Sequence, residues 1–193
     1  DNYWLKGILT YNGSLLYSIL LETDSITDPV VFDHRVYLMD DDNLICLFSE
    51  SGDLCWDDPP HFAPLFYPVV NDSVLVSISQ DGRLIGFDPI HGSPIWEHSI
   101  QGSFLQAPIL SKDAVFVSLE ENDQFHIQKR SLETGALLWS YSSSILSVMS
   151  SQLMLGQDVL LHFFSEESDD TPLSMHVTAL SSETGSLIWK KNW

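Results

Sequence analysis

Glu133-Thr134-Gly135-Ala136-Leu137-Leu138-Trp139 and Glu183-Thr184-Gly185-Ser186-Leu187-Ile188-Trp189 decide the fold. In each, a glycine precedes a tryptophan by four residues, and apolar side chains lead up to the indole. The spacing recurs at Gly52 to Trp56, at Gly92 to Trp96, and at Gly13 to Tyr17, where a phenol takes the indole's place. Successive aromatic anchors stand 39, 40, 43 and 50 residues apart. A fixed period of this length is the signature of a repeat architecture.

Within one period the chain reads as four short strands. Tyr67-Pro68-Val69-Val70, Val74–Ile78, Arg83–Asp88 and Pro94–Trp96 are rich in β-branched and aromatic residues, and Asn, Asp, Ser and Gly separate them. Pro29, Pro68 and Pro108 open the first strand of their periods, where a missing N–H costs no ladder bond. The last period is the least regular: it has no such proline, and its middle turn is expected to swell over Ser165–Pro172. Each repeat glycine falls where a tight turn between the third and fourth strands needs φ > 0, which is cheap only without a Cβ. Each aromatic anchor is then expected to lie against the neighbouring sheet, burying ~150–250 Å².

Four-stranded units of this length arranged radially are β-propeller blades. The predicted fold is therefore all-β, a single partial propeller over 1–193 with a half blade at 1–17 and blades at 18–56, 57–96, 97–139 and 140–189. About four and a half blades leave open strand edges, which template association. The chain is thus expected to belong to a larger propeller or to need a partner. Its start at Asp1-Asn2-Tyr3-Trp4 reads as that of a mature or excised fragment.

Composition narrows the function. Apolar residues at 44% with only 18% charged exclude a disordered chain. No apolar run approaches the ~20 residues of a membrane helix. Eight Lys and Arg against 27 Asp and Glu give a net charge of −19, which repels phosphate backbones and anionic leaflets. Nucleic acid is not an expected partner, and a small molecule is disfavoured.

The E-T-G-x-L-x-W segments at 133–139 and 183–189, with Asp81-Gly82-Arg83-Leu84-Ile85-Gly86-Phe87-Asp88 as a D-G-x-L-x-A-x-D half, resemble the PQQ-like (quinoprotein) propeller repeat. The resemblance spans nearly the whole chain. It implies the propeller fold and leaves activity open among quinone-dependent alcohol dehydrogenases, outer-membrane assembly lipoproteins, luminal stress sensors and eukaryotic surface proteins. A dehydrogenase of this family would present an adjacent Cys-Cys pair, a Ca²⁺ held by Glu and Asn, and an Asp base. Here the only cysteines, Cys46 and Cys55, are nine apart, and Glu120-Glu121-Asn122-Asp123 falls in a turn. The chain most resembles the membrane-anchored surface type expressed in plant gametes.

Other chemistry is sparse. Cys46 and Cys55 lie on successive strands nearly opposite one another; two buried thiols are the preferred reading and a cross-strand disulfide the alternative. The turns between second and third strands are acidic: Asp40, Asp41 and Asp42; Asp81; Glu120, Glu121 and Asp123; Glu166, Glu167, Asp169 and Asp170. All such turns leave a propeller on one face, giving an acidic surface that could steer a basic partner, although a solvated face is the plainer reading. No EF-hand spacing is met at Asp40–Asn43. The seven histidines show no metal-ligand spacing, and no nucleophile elbow, P-loop or dinucleotide fingerprint occurs. Asn12-Gly13-Ser14 and Asn71-Asp72-Ser73 are glycosylation acceptors in predicted turns.

The sequence thus predicts a non-enzymatic scaffold or recognition module, without cofactor or metal, that binds a protein partner through a propeller face. The expected setting is the secretory pathway, on the outer face of a membrane or in the ER lumen. The alternatives are a PQQ- and Ca²⁺-dependent dehydrogenase fragment and a luminal stress-sensor domain.

Overall fold

The structure, a computed structural model, describes residues 2–22, 27–40, 42–144, 148–168 and 171–193. Among them every regular element is a β-strand. The chain forms two compact units, Asp1–His98 and Ser99–Trp193.

The first unit holds three sheets. β1 (Asn2–Ile8) and β2 (Leu15–Glu22) form a two-stranded sheet. β3 (Val30–Phe32), β4 (Arg35–Met39) and β5 (Leu44–Phe48) make the second sheet. β6 (Val69–Val70), β7 (Leu75–Ile78), β8 (Arg83–Phe87) and β9 (Pro94–Ser99) make the third. In β4 and β7 every residue after Arg35 is apolar, aromatic or small and buried, because both faces of the sheet are covered. On β4, Val36 and Leu38 pack with Leu5, Ile19 and Leu21 of the first sheet. Tyr37 and Met39, pointing the other way, join Leu75, Ile85 and Phe87 of the third sheet. Alternation along one strand thus staples three sheets into a row.

The second unit repeats the plan with longer strands. β10 (Ser103–Phe104) and β11 (Ile109–Leu110) both pair with β12 (Ala114–Glu121), followed by β13 (Gln124–Ser131) and β14 (Leu137–Ser144). The fifth sheet is β15 (Val148–Leu155), β16 (Val159–Ser168), β17 (Thr171–Ser181) and β18 (Leu187–Asn192). Ala114, Phe116, Phe125 and Ile127 of the fourth sheet close on Leu153, Leu160, Phe164 and Leu180 of the fifth.

Three expectations need correction. The expected fourth strand leading to Trp56 is reduced to a single bridge, Leu47 to Leu54. Asp57-Asp58-Pro59-Pro60 follow at once, and prolines donate no ladder bond. Cys46 and Cys55 are not free thiols; they form a disulfide across this turn, with Cα atoms 5.2 Å apart. The Cys55 amide donates to the Cys46 carbonyl at 2.8 Å, and that close pairing brings the two sulfurs within bonding reach. Finally, the swollen loop over Ser165–Pro172 is mostly strand: Ser165 pairs with Met175, Glu166 with Ser174 and Ser168 with Thr171.

Candidate functional site

Five hairpins share one turn. In each, the glycine amide donates to the carbonyl four residues back: Gly13 to Leu9, Gly52 to Phe48, Gly92 to Asp88, Gly135 to Ser131 and Gly185 to Ser181, at 2.8–2.9 Å. The residue that accepts this bond also donates its own amide across the turn, as Phe48 does to Asp53 at 2.8 Å. The five glycines have φ between 69° and 79°, a conformation strained for any side chain with a Cβ.

These turns are also seats. A Cβ on Gly92 would stand 2.7 Å from the Trp56 ring, and the Trp56 indole N–H donates to the Ile90 carbonyl at 3.0 Å. Gly185 lies as close to Trp139, whose N–H reaches the Ser182 carbonyl at 3.3 Å. Tyr17 fills the same position under Gly52 at 2.9 Å. The anchor of one sheet is therefore clamped beneath the glycine turn of the next. Trp96 is buried and lies over Gly86 of its own sheet. Trp189 departs from the expectation: it is 40% exposed, because no glycine turn covers it among the described residues.

Of the acids assigned to the turns between second and third strands, Asp40 and Asp42 lie between β4 and β5 and Asp81 between β7 and β8, whereas Glu120, Glu121, Glu166 and Glu167 belong to strands β12 and β16. Asp40 Oδ1 accepts from the Asn43 amide at 2.8 Å and the Asp42 amide at 3.1 Å, closing its turn. Asp81 takes both its carboxylate oxygens to Arg83 Nε at 2.8–2.9 Å and also accepts from Ser79 Oγ. The Arg83 hydrogen bonds hold its carboxyl below the usual aspartate range. Glu120 and Glu121 end β12, and Asp123 with Asn122 makes a two-residue turn with φ of 52° and 58°. Asp41, Asp169 and Asp170 lie outside the described residues, as do the side chains of Glu166 and Glu167. Among the described residues no three His, Cys, Asp or Glu side chains are placed to hold a metal ion. In both sequons the asparagine Oδ1 closes an Asx turn, Asn12 accepting from the Ser14 amide at 3.0 Å and Asn71 from the Ser73 amide at 2.9 Å.

Sequence reasoning missed two features of the second unit. His162 is fully buried against the rings of Phe125 and Phe164, at 4.8 and 5.0 Å, and shares a 2.9 Å hydrogen bond with Ser151 Oγ. Its Nδ1 is buried without a hydrogen-bond partner among the described residues. Burial, helped by the charge of Lys190, lowers its pKa to about 4. The signal was the alternation Leu160, His162, Phe164, which puts the imidazole on the inward face of β16. Lys129 and Arg130 are also buried; Arg130 donates to the Gly135 carbonyl at 3.0 Å, bracing a repeat turn with a cation.

Comparisons with known proteins agree with this geometry. The family model described as "Outer membrane protein assembly factor BamB", of PQQ type, matches residues 51–193. No curated protein sequence matches the chain. Among solved structures, BamB from Moraxella catarrhalis superposes with a TM-score of 0.66 at 15% identity, over 96% of this chain and 69% of that one. Quinohemoprotein alcohol dehydrogenase from Comamonas testosteroni gives 0.71 at 15% identity, over 88% of this chain but only 35% of the enzyme. The computationally designed Ika4 protein gives 0.61 at 16% identity, over 90% and 92%. At such identities the structural likeness speaks for the fold alone. Since the family model covers most of the sequence and the seated glycine turns recur through it, the chain belongs to the PQQ-like β-propeller repeat family.

Proposed function

We propose that this chain is a non-catalytic scaffold that binds a basic protein partner through the turns between its second and third strands. One observation carries the reading: three consecutive sheets, the second to the fourth, bring carboxylates to that same turn or to the strand end beside it, at Asp40 and Asp42, at Asp81, and at Glu120, Glu121 and Asp123. Loops on a rigid sheet frame are where such modules make contact, and a single-sign field speeds the approach of an oppositely charged partner. The candidate ligands of a quinone site do other work here, since the two cysteines cross-link a hairpin and Asp123 makes a tight turn.

The Cys46–Cys55 disulfide supports an oxidising compartment. With exposed Asn12 and half-buried Asn71 as glycan acceptors, it favours the secretory pathway, on the outer face of a membrane, as for a membrane-anchored surface protein.

The test is calorimetric titration with a decalysine probe at low and high salt, on the native chain and on a Glu120→Gln, Glu121→Gln, Asp123→Asn variant. The reading expects salt-sensitive binding that weakens about tenfold in the variant, as the loss of close charge pairs does. Equal binding by both would refute it, as would alcohol oxidation on addition of PQQ and Ca²⁺.

A further inference from the structure

The outer strands of the third, fourth and fifth sheets differ in what they carry. β9 opens on Pro94 and holds Glu97, which accepts from Arg83 Nη1 at 3.2 Å. β18 holds Lys190 and Lys191. β14 has neither a proline nor a charged residue anywhere in Leu137–Ser144. It pairs with β13 without a break from Trp139 to Ser144, and among the described residues no strand pairs with its other edge. Natural sheets blunt such an edge with charge, proline or a bulge, because its outward N–H and C=O groups accept another strand.

The two ends of this edge differ in chemistry. Ser144 stands opposite Gln124, which stands opposite Glu121. Cross-strand neighbours share a face, so Glu121 lies on the face of Ser144, beside the turn that carries Asp123. Lys190 is on the other face, where it donates to Ser143 Oγ at 2.7 Å. At the far end Leu137 and Leu138 are both exposed. One end is acidic and the other apolar.

We propose that β14 receives an extended segment of the partner protein as an added antiparallel strand. Such a strand begins beside Ser144 and ends beside Leu137, so the segment carries basic residues first and apolar residues last. Its first residues stand about 10 Å from β13, two strand spacings away, where arginine side chains reach Glu121 and Asp123. The occupant is a basic segment rather than a second copy because copies of net charge −19 repel one another. The segment's basic end rests on the acidic-turn reading; the strand addition rests on the unguarded edge.

The experiment is hydrogen exchange with calorimetric titration on the native chain. The probe is a synthetic peptide of arginines, then alternating threonine and valine, closing on leucines. With the peptide at about ten times its dissociation constant, exchange in β14 should slow about tenfold, with β9 and β18 unchanged. Peptides N-methylated on alternate residues should fall into two classes, since a strand bonds its neighbour through alternate N–H groups only. One phase should bind as the parent does, and the other should weaken about 30-fold or more, as loss of several hydrogen bonds does. The same residues in reversed order should bind about tenfold more weakly, because the arginines then lie beside Leu137.

Peptide binding that leaves β14 unprotected would overturn strand addition and spare the acidic-turn reading. Protection of β14 that is undiminished in the Glu120→Gln, Glu121→Gln, Asp123→Asn variant would uphold strand addition and refute the acidic-turn reading. Equal effects of both methylation phases, or equal binding by the reversed peptide, would overturn the proposal. So would β14 protected without peptide in proportion to chain concentration, which would make a second copy the occupant.

Discussion

The second and fifth sheets carry the same repeat and invert its two strengths. In the second, the segment ending at Trp56 has one ladder bridge and a disulfide, yet the ring is only 2% exposed. In the fifth, Trp189 sits in a regular six-residue strand and is 40% exposed. Ladder pairing therefore does not bury the anchor. The glycine turn of the following sheet does, and the strand beneath serves only to present the ring.

The largest effect should come from removing a seated ring. Trp56→Ala should cost ~3–5 kcal/mol, as large core truncations do. Trp189→Ala in dilute solution should cost ~1 kcal/mol or less, because an exposed side chain gives up little burial. Urea unfolding of the two variants measures the difference, and equal losses would break the comparison.

Acid should act next, and only on the fifth sheet's contact with the fourth. His162 titrates near 4 when folded against an ordinary 6.5, so the unfolded chain binds its proton first as pH falls. The stability it allows is intact above about 6.5 and declines towards pH 4, by up to ~3 kcal/mol. Stability against pH should flatten across that window in His162→Phe.

Reduction should act on the second sheet instead. The cross-link closes a loop of about ten residues, so Cys46→Ser with Cys55→Ser should cost ~2–3 kcal/mol. Trp56 emission should shift little, because the Gly92 turn and the Ile90 carbonyl still hold the ring. The smallest effect belongs to Gly13→Ala, at ~1 kcal/mol from backbone strain alone. Gly185→Ala, with Trp139 2.7 Å from the added methyl, should lose distinctly more. Thermal unfolding of this pair tests whether the seat, rather than the turn, sets the cost.

The repeat was legible because its two diagnostic residues are chemically extreme. Only glycine takes φ near 70° without strain, and only a large ring fills the seat, so both survive as a visible spacing. The state of Cys46 and Cys55 was not legible, since one step of register in the hairpin around Gly52 separates a bridge from two packed thiols. His162 was hidden because a lone histidine between Leu161 and Phe163 carries no spacing of its own. Its burial is decided by Phe125, nearly forty positions earlier.

Five copies of one turn also bear on how such a chain changes over generations. Wherever a seat joins neighbouring sheets, it asks of the next sheet a bare backbone at one point and of the previous one a ring. A duplicated or deleted stretch of one period would then arrive with compatible ends and need no compensating substitutions. Gain or loss of whole modules by unequal recombination is in this sense a gentler mutation than a single methyl group at Gly92.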